Sequence, residues 1–238
     1  MISLEKKPVV SLVKEAGEQV AAAGLGEQKA KVALLMDYSG SMRSAYKEGV
    51  VQAIAERALA LAAQFDDDQA IDVFFFGTQA WYAGEITLED YAGAIDRLTA
   101  GRHMGTTNYA AAMRLVREHY RGGGRRGLFG RRKHADAAVE FPAYVMFFTD
   151  GHPDSEAEAK RELREASAEG IFWQFVGIGD ERFTFLEKLD DLDGRVIDNA
   201  NFFAVRSSDR MPDTVLFAKL LTEFPGWLPQ ARQHGLIR

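Results

Sequence analysis

Apolar residues fall along the chain in two alternating rhythms. Short, largely apolar runs at 32–36, 71–76, 143–149 and 171–178, with a weaker one at 202–205, read as buried strands, each bounded by turn-forming or charged residues. Between them Val51, Ile54, Ala55, Ala58, Ala62 and Phe65 recur at helical spacing, as do Tyr109, Ala112, Met113 and Val116. A further helix is predicted from Ser155, where Ser-x-x-Glu to Glu158 forms a capping box and Glu156 stands four residues before Lys160; it should end near Gly170. Strands alternating with helices, the strands apolar along most of their length, predict an α/β sandwich built on a mostly parallel central sheet. Residues 79–86 predict an antiparallel edge hairpin. Val9, Leu12, Val13 and Ala16 predict an N-terminal extension or linker helix within residues 1–30, ahead of a main domain over 31–238. Val215 to Leu221 reads as helical, and Trp227 and Leu228 as core.

Composition sharpens this picture mainly by exclusion. The 238 residues are 47% hydrophobic, enough for a substantial core. A net charge of −6 gives no global pull toward nucleic acid or anionic lipid, so any basic site must be local. The one basic stretch is a glycine-rich insertion at about 121–140, with arginines and a lysine between glycines and Phe129 as its aromatic residue. The absence of cysteine removes disulfides, thiolate metal sites and cysteine nucleophiles. No segment approaches a membrane span or a signal peptide, which predicts a cytoplasmic protein that reaches the inner face of the membrane only through partners.

In a parallel sheet, ligands bind beyond the carboxyl ends of the strands. The first run is followed by Asp37-Tyr38-Ser39-Gly40-Ser41, and the third by Thr149-Asp150-Gly151. Gly105-Thr106-Thr107-Asn108 stands just ahead of a predicted helix. Two carboxylates and several hydroxyls on one face form a hard-oxygen set suited to octahedral Mg²⁺, with Mn²⁺ or Ca²⁺ as the other ions such donors accept. The same hydroxyls also have a plainer use as helix caps, and Asp37 as an acceptor for loop amides.

Together, Asp37-x-Ser39-x-Ser41, Gly-x-Thr107-Asn108 and Thr149-Asp150-Gly151 resemble, in order and spacing, the metal-ion-dependent adhesion site of a von Willebrand factor A (vWA) domain. That resemblance implies a doubly wound, Rossmann-like fold, a mostly parallel central sheet with helices on both faces, in which Ser39, Ser41 and Thr107 ligate Mg²⁺ through hydroxyls, while Asp37 and Asp150 bind it directly or through water. Family sequences usually read Gly-Gly-Thr-Asn at the second motif, which favours Thr107 and leaves Thr106 as its alternative. The resemblance also implies that a protein partner supplies an acidic residue to the metal. A finer resemblance, to the vWA proteins of bacterial tellurium resistance (Ter), rests on residues 32–42, Phe65-Asp66-Asp67-Asp68, Phe76-Gly77-Thr78 and Glu223-Phe224-Pro225-Gly226-Trp227-Leu228. It implies an adaptor in a stress-response complex, with another Ter-type protein as partner, and no enzymatic activity.

Other motifs fail. Gly177-Ile178-Gly179-Asp180-Glu181-Arg182 places Arg182 where a dinucleotide fingerprint needs glycine, and Asp66 to Asp68 lack the glycine and terminal glutamate of a calcium loop. His152 beside Asp150 leaves a Mg²⁺- or Mn²⁺-dependent phosphoesterase as the alternative from a different class. Nucleic-acid binding through the basic insertion is the third reading.

Overall fold

The computed structural model describes residues 4, 7–121, 138–206 and 211–238; most of the basic insertion, 122–137, lies outside the described residues. The element order is α1 (Val9–Ala22), β1 (Lys31–Asp37), α2 (Arg43–Lys47), α3 (Val50–Ala62), β2 (Ala70–Phe76), β3 (Ala80–Thr87), α4 (Ala94–Thr99) and α5 (Tyr109–Arg121). It continues with β4 (Ala143–Thr149), α6 (Glu156–Ala166), β5 (Ile171–Ile178), α7 (Thr184–Asp190), β6 (Ala200–Val205), α8 (Asp213–Leu220) and α9 (Phe224–Gln233). The strands form one sheet in the order β3-β2-β1-β4-β5-β6, parallel throughout except for β3, which is antiparallel to β2.

The burial of the strands follows from helices covering both faces. Every residue of β4 and β5 is buried, and so is β1 after Lys31. Alternate side chains of β1 enter different cores: Val32, Leu34 and Met36 pack with α1, α3, α8 and α9, whereas Ala33 and Leu35 pack with α5, α6 and α7. Leu12, Ala16 and Val20 of α1 belong to the first of these cores, so this helix is one of its walls. Trp227 and Leu228 of α9 are buried in it as well. The start of α6 carries both features read from its sequence, with Ser155 Oγ accepting from the Glu158 amide at 3.4 Å and Lys160 lying 3.7 Å from Glu156.

The chain leaves β1 toward β2 on one side and later returns to β4 on the other. The switch point of this doubly wound sheet therefore lies at the carboxyl ends of β1 and β4, where a crevice opens in such folds. Asp37 ends β1, and Asp150 follows β4.

A candidate metal centre

Three loops meet at this switch point, and backbone bonds fix two of them together. The Gly105 amide donates to the Tyr38 carbonyl at 3.1 Å, and the Gly40 amide to the Gly105 carbonyl at 3.1 Å. The Asn108 amide reaches the Gly77 carbonyl at 3.1 Å, tying the same loop to the end of β2. Gly105 has no room for a side chain: a Cβ there would lie 2.5 Å from the Thr78 nitrogen and 2.6 Å from its hydroxyl. Close backbone approach explains this glycine, since its φ is not among the positive ones.

On this scaffold the oxygen donors form a connected row. Ser39 Oγ lies 3.0 Å from Ser41 Oγ, and Ser41 Oγ donates to Asp150 Oδ1 at 2.7 Å. Asp37 lies buried beside the row: its Oδ1 accepts from the Ser39 amide at 2.8 Å, and its Oδ2 from Thr149 Oγ1 at 2.6 Å. Removal from water pushes the Asp37 carboxyl up to about 6, with the Asp150 charge adding to the effect and the bonds from Thr149 and Ser39 opposing it. Burial raises Asp150 as well, opposed by the bond from Ser41.

Two carboxylates, one buried and one half-buried, that among the described residues accept only from hydroxyls and amides form a site short of positive charge, which a cation would supply. The spacing fits a small one. Neighbouring ligands of an octahedral ion at ~2.1 Å stand about 3.0 Å apart, close to the separations along Ser39, Ser41 and Asp150. Among the described residues no three His, Cys, Asp or Glu side chains cluster as a metal site, as expected where hydroxyls supply most of the donors.

The structure separates the two threonines. Thr106 Oγ1 donates to Asp154 Oδ2 at 2.6 Å and sits 3.4 Å from Thr78 Oγ1. The Thr107 hydroxyl makes no hydrogen bond among the described residues, so it is the one left available. Asp154 was missed by sequence reasoning: besides holding Thr106, its Oδ1 accepts from the Thr107 amide at 3.1 Å, and its own amide donates to the Thr107 carbonyl at 2.9 Å. It clamps the second loop to the third. Thr149, noted in the sequence only as part of a motif, is the hydroxyl that orients Asp37. Tyr46 and Tyr109 support the site from below, the Tyr46 hydroxyl donating to the Asp37 carbonyl at 2.8 Å and the Tyr109 hydroxyl to the Gly151 carbonyl at 2.6 Å. His152 is exposed and bonds to none of the candidate donors.

Residues 29–237 match the family model vWA-TerF-like, described as the vWA found in the TerF C terminus. The chain belongs to this vWA family. It is 36% identical over 213 residues to the uncharacterized protein YcbR of Bacillus subtilis (strain 168), covering 88% of this chain and 82% of that protein. Among solved structures, proximal thread matrix protein 1 from the mussel byssus matches with a TM-score of 0.58 at 20% identity, over 82% of this chain and 47% of the mussel chain. The chain thus spans about half the length of that relative. A manganese-loaded TRAP protein of Plasmodium vivax matches with a TM-score of 0.51 at 18% identity, over 82% of this chain and 73% of that one. A further mussel structure, described as having a zinc-occupied MIDAS motif, matches with a TM-score of 0.52 at 19% identity, over 88% and 48% of the two chains. These likenesses support the vWA fold, and the metals in their descriptions belong to those proteins.

Proposed function

We propose that this vWA domain is a divalent-cation-dependent protein-binding module and not an enzyme. Ser39, Ser41 and Thr107 would hold Mg²⁺ through hydroxyls, and Asp37 and Asp150 would neutralise it. A partner's acidic side chain would complete the set. The observation that carries this reading is the row Ser39–Ser41–Asp150, at 3.0 and 2.7 Å, with Asp37 buried beside it. Hydroxyls at that spacing can exchange a shared proton for a shared cation with little movement. Mg²⁺ suits hard oxygen ligands and small separations better than Ca²⁺, which takes more ligands at longer distances. Mn- and Zn-containing relatives of the same fold support a cation at this place. The vWA-TerF-like family supports a role in a bacterial tellurium-resistance or stress-response complex, and vWA domains commonly mediate protein interactions. The cytoplasm is the compartment we assign on this reading.

Calorimetric titration of metal-free protein with Mg²⁺, beside Asp37→Ala, tests the proposal. Saturable binding to the wild type, lost in the variant, is the expected result. Absence of binding to the wild type would overturn it. Hydrolysis of a generic phosphate ester by the wild type in Mg²⁺ or Mn²⁺, abolished in Asp37→Ala, would replace it with a phosphoesterase.

A further inference from the structure

One exposed cation, three residues before the loop that carries Thr107, rests over an aromatic ring. The Arg102 guanidinium lies 4.9 Å from the centroid of Trp81, and Arg102 is exposed. Among the described residues it forms no ion pair and no side-chain hydrogen bond, unlike Arg57, Arg114, Arg117 and Arg195, which are paired with acids. The ring beneath it is itself fixed. Trp81 stacks on Phe75 at 5.4 Å between centroids and meets Tyr38 edge-on at 5.6 Å. Tyr38 stands between Asp37 and Ser39, and its hydroxyl lies 3.4 Å from the Arg102 carbonyl. The Arg102 backbone is therefore tied through Tyr38 to the loop of metal-binding candidates, and its guanidinium sits on the far side of Trp81's contact with the same tyrosine. The bond from Gly105 to Tyr38 closes the same short segment onto that loop.

An arginine held over an indole keeps its charge, and its planar fork matches a carboxylate in two-point geometry. Stacking also removes part of the side-chain freedom that an exposed arginine loses on pairing. We infer that Arg102, held on Trp81 beside the Ser39 loop, is a second anchor for an acidic segment of a partner protein, one carboxylate meeting the metal site and a neighbouring one meeting Arg102. This rests on the proposed metal-dependent binding and adds the character of the partner: at least two acids close together. The net charge of −6 works against a long polyanion such as a nucleic acid far more than against a short acidic segment.

Titration of the full chain with a short oligoglutamate peptide in saturating Mg²⁺, with Mg²⁺ affinity measured separately, tests the inference. The expected result is that Arg102→Gln weakens peptide binding by about three- to fivefold, the range of an exposed ionic contact, and leaves Mg²⁺ affinity unchanged. Arg102→Lys, which keeps the charge without the planar fork, should recover only part of the loss. Equal peptide affinity in Arg102→Gln and wild type would overturn the anchor, as would a wild type that binds Mg²⁺ but not the peptide. Tighter binding of a single-stranded oligonucleotide of equal charge would overturn the acidic-protein partner. Failure of the wild type to bind Mg²⁺ would instead remove the reading beneath it.

Discussion

At the scale of single residues, the candidate site is a matter of which oxygens remain free. Thr106 spends its hydroxyl on Asp154, whereas Thr107 keeps its own. Thr107→Val should therefore lower Mg²⁺ affinity by roughly tenfold, the loss of one neutral ligand, with little change in stability. Thr106→Val should do the reverse, costing about 1 kcal/mol in urea unfolding while Mg²⁺ affinity stays within about threefold. Calorimetry and unfolding on the two variants check the assignment, and a larger metal defect in Thr106→Val would invert it. As candidates, Asp37, Ser39, Ser41 and Asp150 are legible because polar oxygens directly after apolar strands are conspicuous, whereas Thr107 is singled out only by the resemblance of Gly105-Thr106-Thr107-Asn108 to a family motif. The supporting contacts were not: Thr149 meets Asp37 across 112 residues of sequence, and Thr106 meets Asp154 across 48. Only the pairing of β1 with β4 and the seating of the second loop create them.

Among the elements, α5 and α6 matter because each begins at a loop of the site. They are joined by Arg117, which is buried and paired with Glu162, Glu165 and Glu169. Arg114 adds a bond to Glu162 at 2.7 Å. Arg117→Ala would leave Glu162 buried with Arg114 as its remaining close partner, so we expect a loss of about 1–3 kcal/mol in unfolding free energy. A loss under about 0.5 kcal/mol would show that Arg114 and water compensate Glu162 without Arg117. Gly105→Ala addresses the loop directly. Its Cβ would meet the Thr78 backbone, which predicts a cost of about 1–3 kcal/mol together with weakened Mg²⁺ binding, because the loop carrying Thr107 must move. Unchanged metal affinity in that variant would mean that the second loop does not position the site. The long amphipathic helices and apolar strands were legible from periodicity. The helices α2, α4 and α7, of five to seven residues, were not, being too short to display a helical period.

On the scale of the whole molecule, the sheet order explains why distant motifs share one edge, and packing explains why α1 belongs to the same core as the sheet. A separate electrostatic feature shapes stability. Burial pushes the Asp190 carboxyl at the end of α7 up to about 7, reinforced by Glu223, Asp198 and Asp191 and opposed by Arg195. The folded protein thus holds this proton more tightly than the unfolded chain. Stability contributed by that proton is present below about pH 4 and is lost as the pH rises to about 7. Asp190→Asn should accordingly raise the melting temperature at pH 8 relative to wild type, with the difference shrinking as the pH falls toward 4. A constant difference across that range would rule out Asp190 as the titrating group.

The central claim is that Ser39, Ser41, Thr107, Asp37 and Asp150 surround one divalent ion. X-ray diffraction from crystals grown with Mn²⁺, recorded for its anomalous signal, tests this most directly. The account predicts a single strong peak within coordination distance of the hydroxyls of Ser39, Ser41 and Thr107, with both carboxylates bound directly or through one water. A peak elsewhere, or none at this crevice at millimolar Mn²⁺, would contradict it.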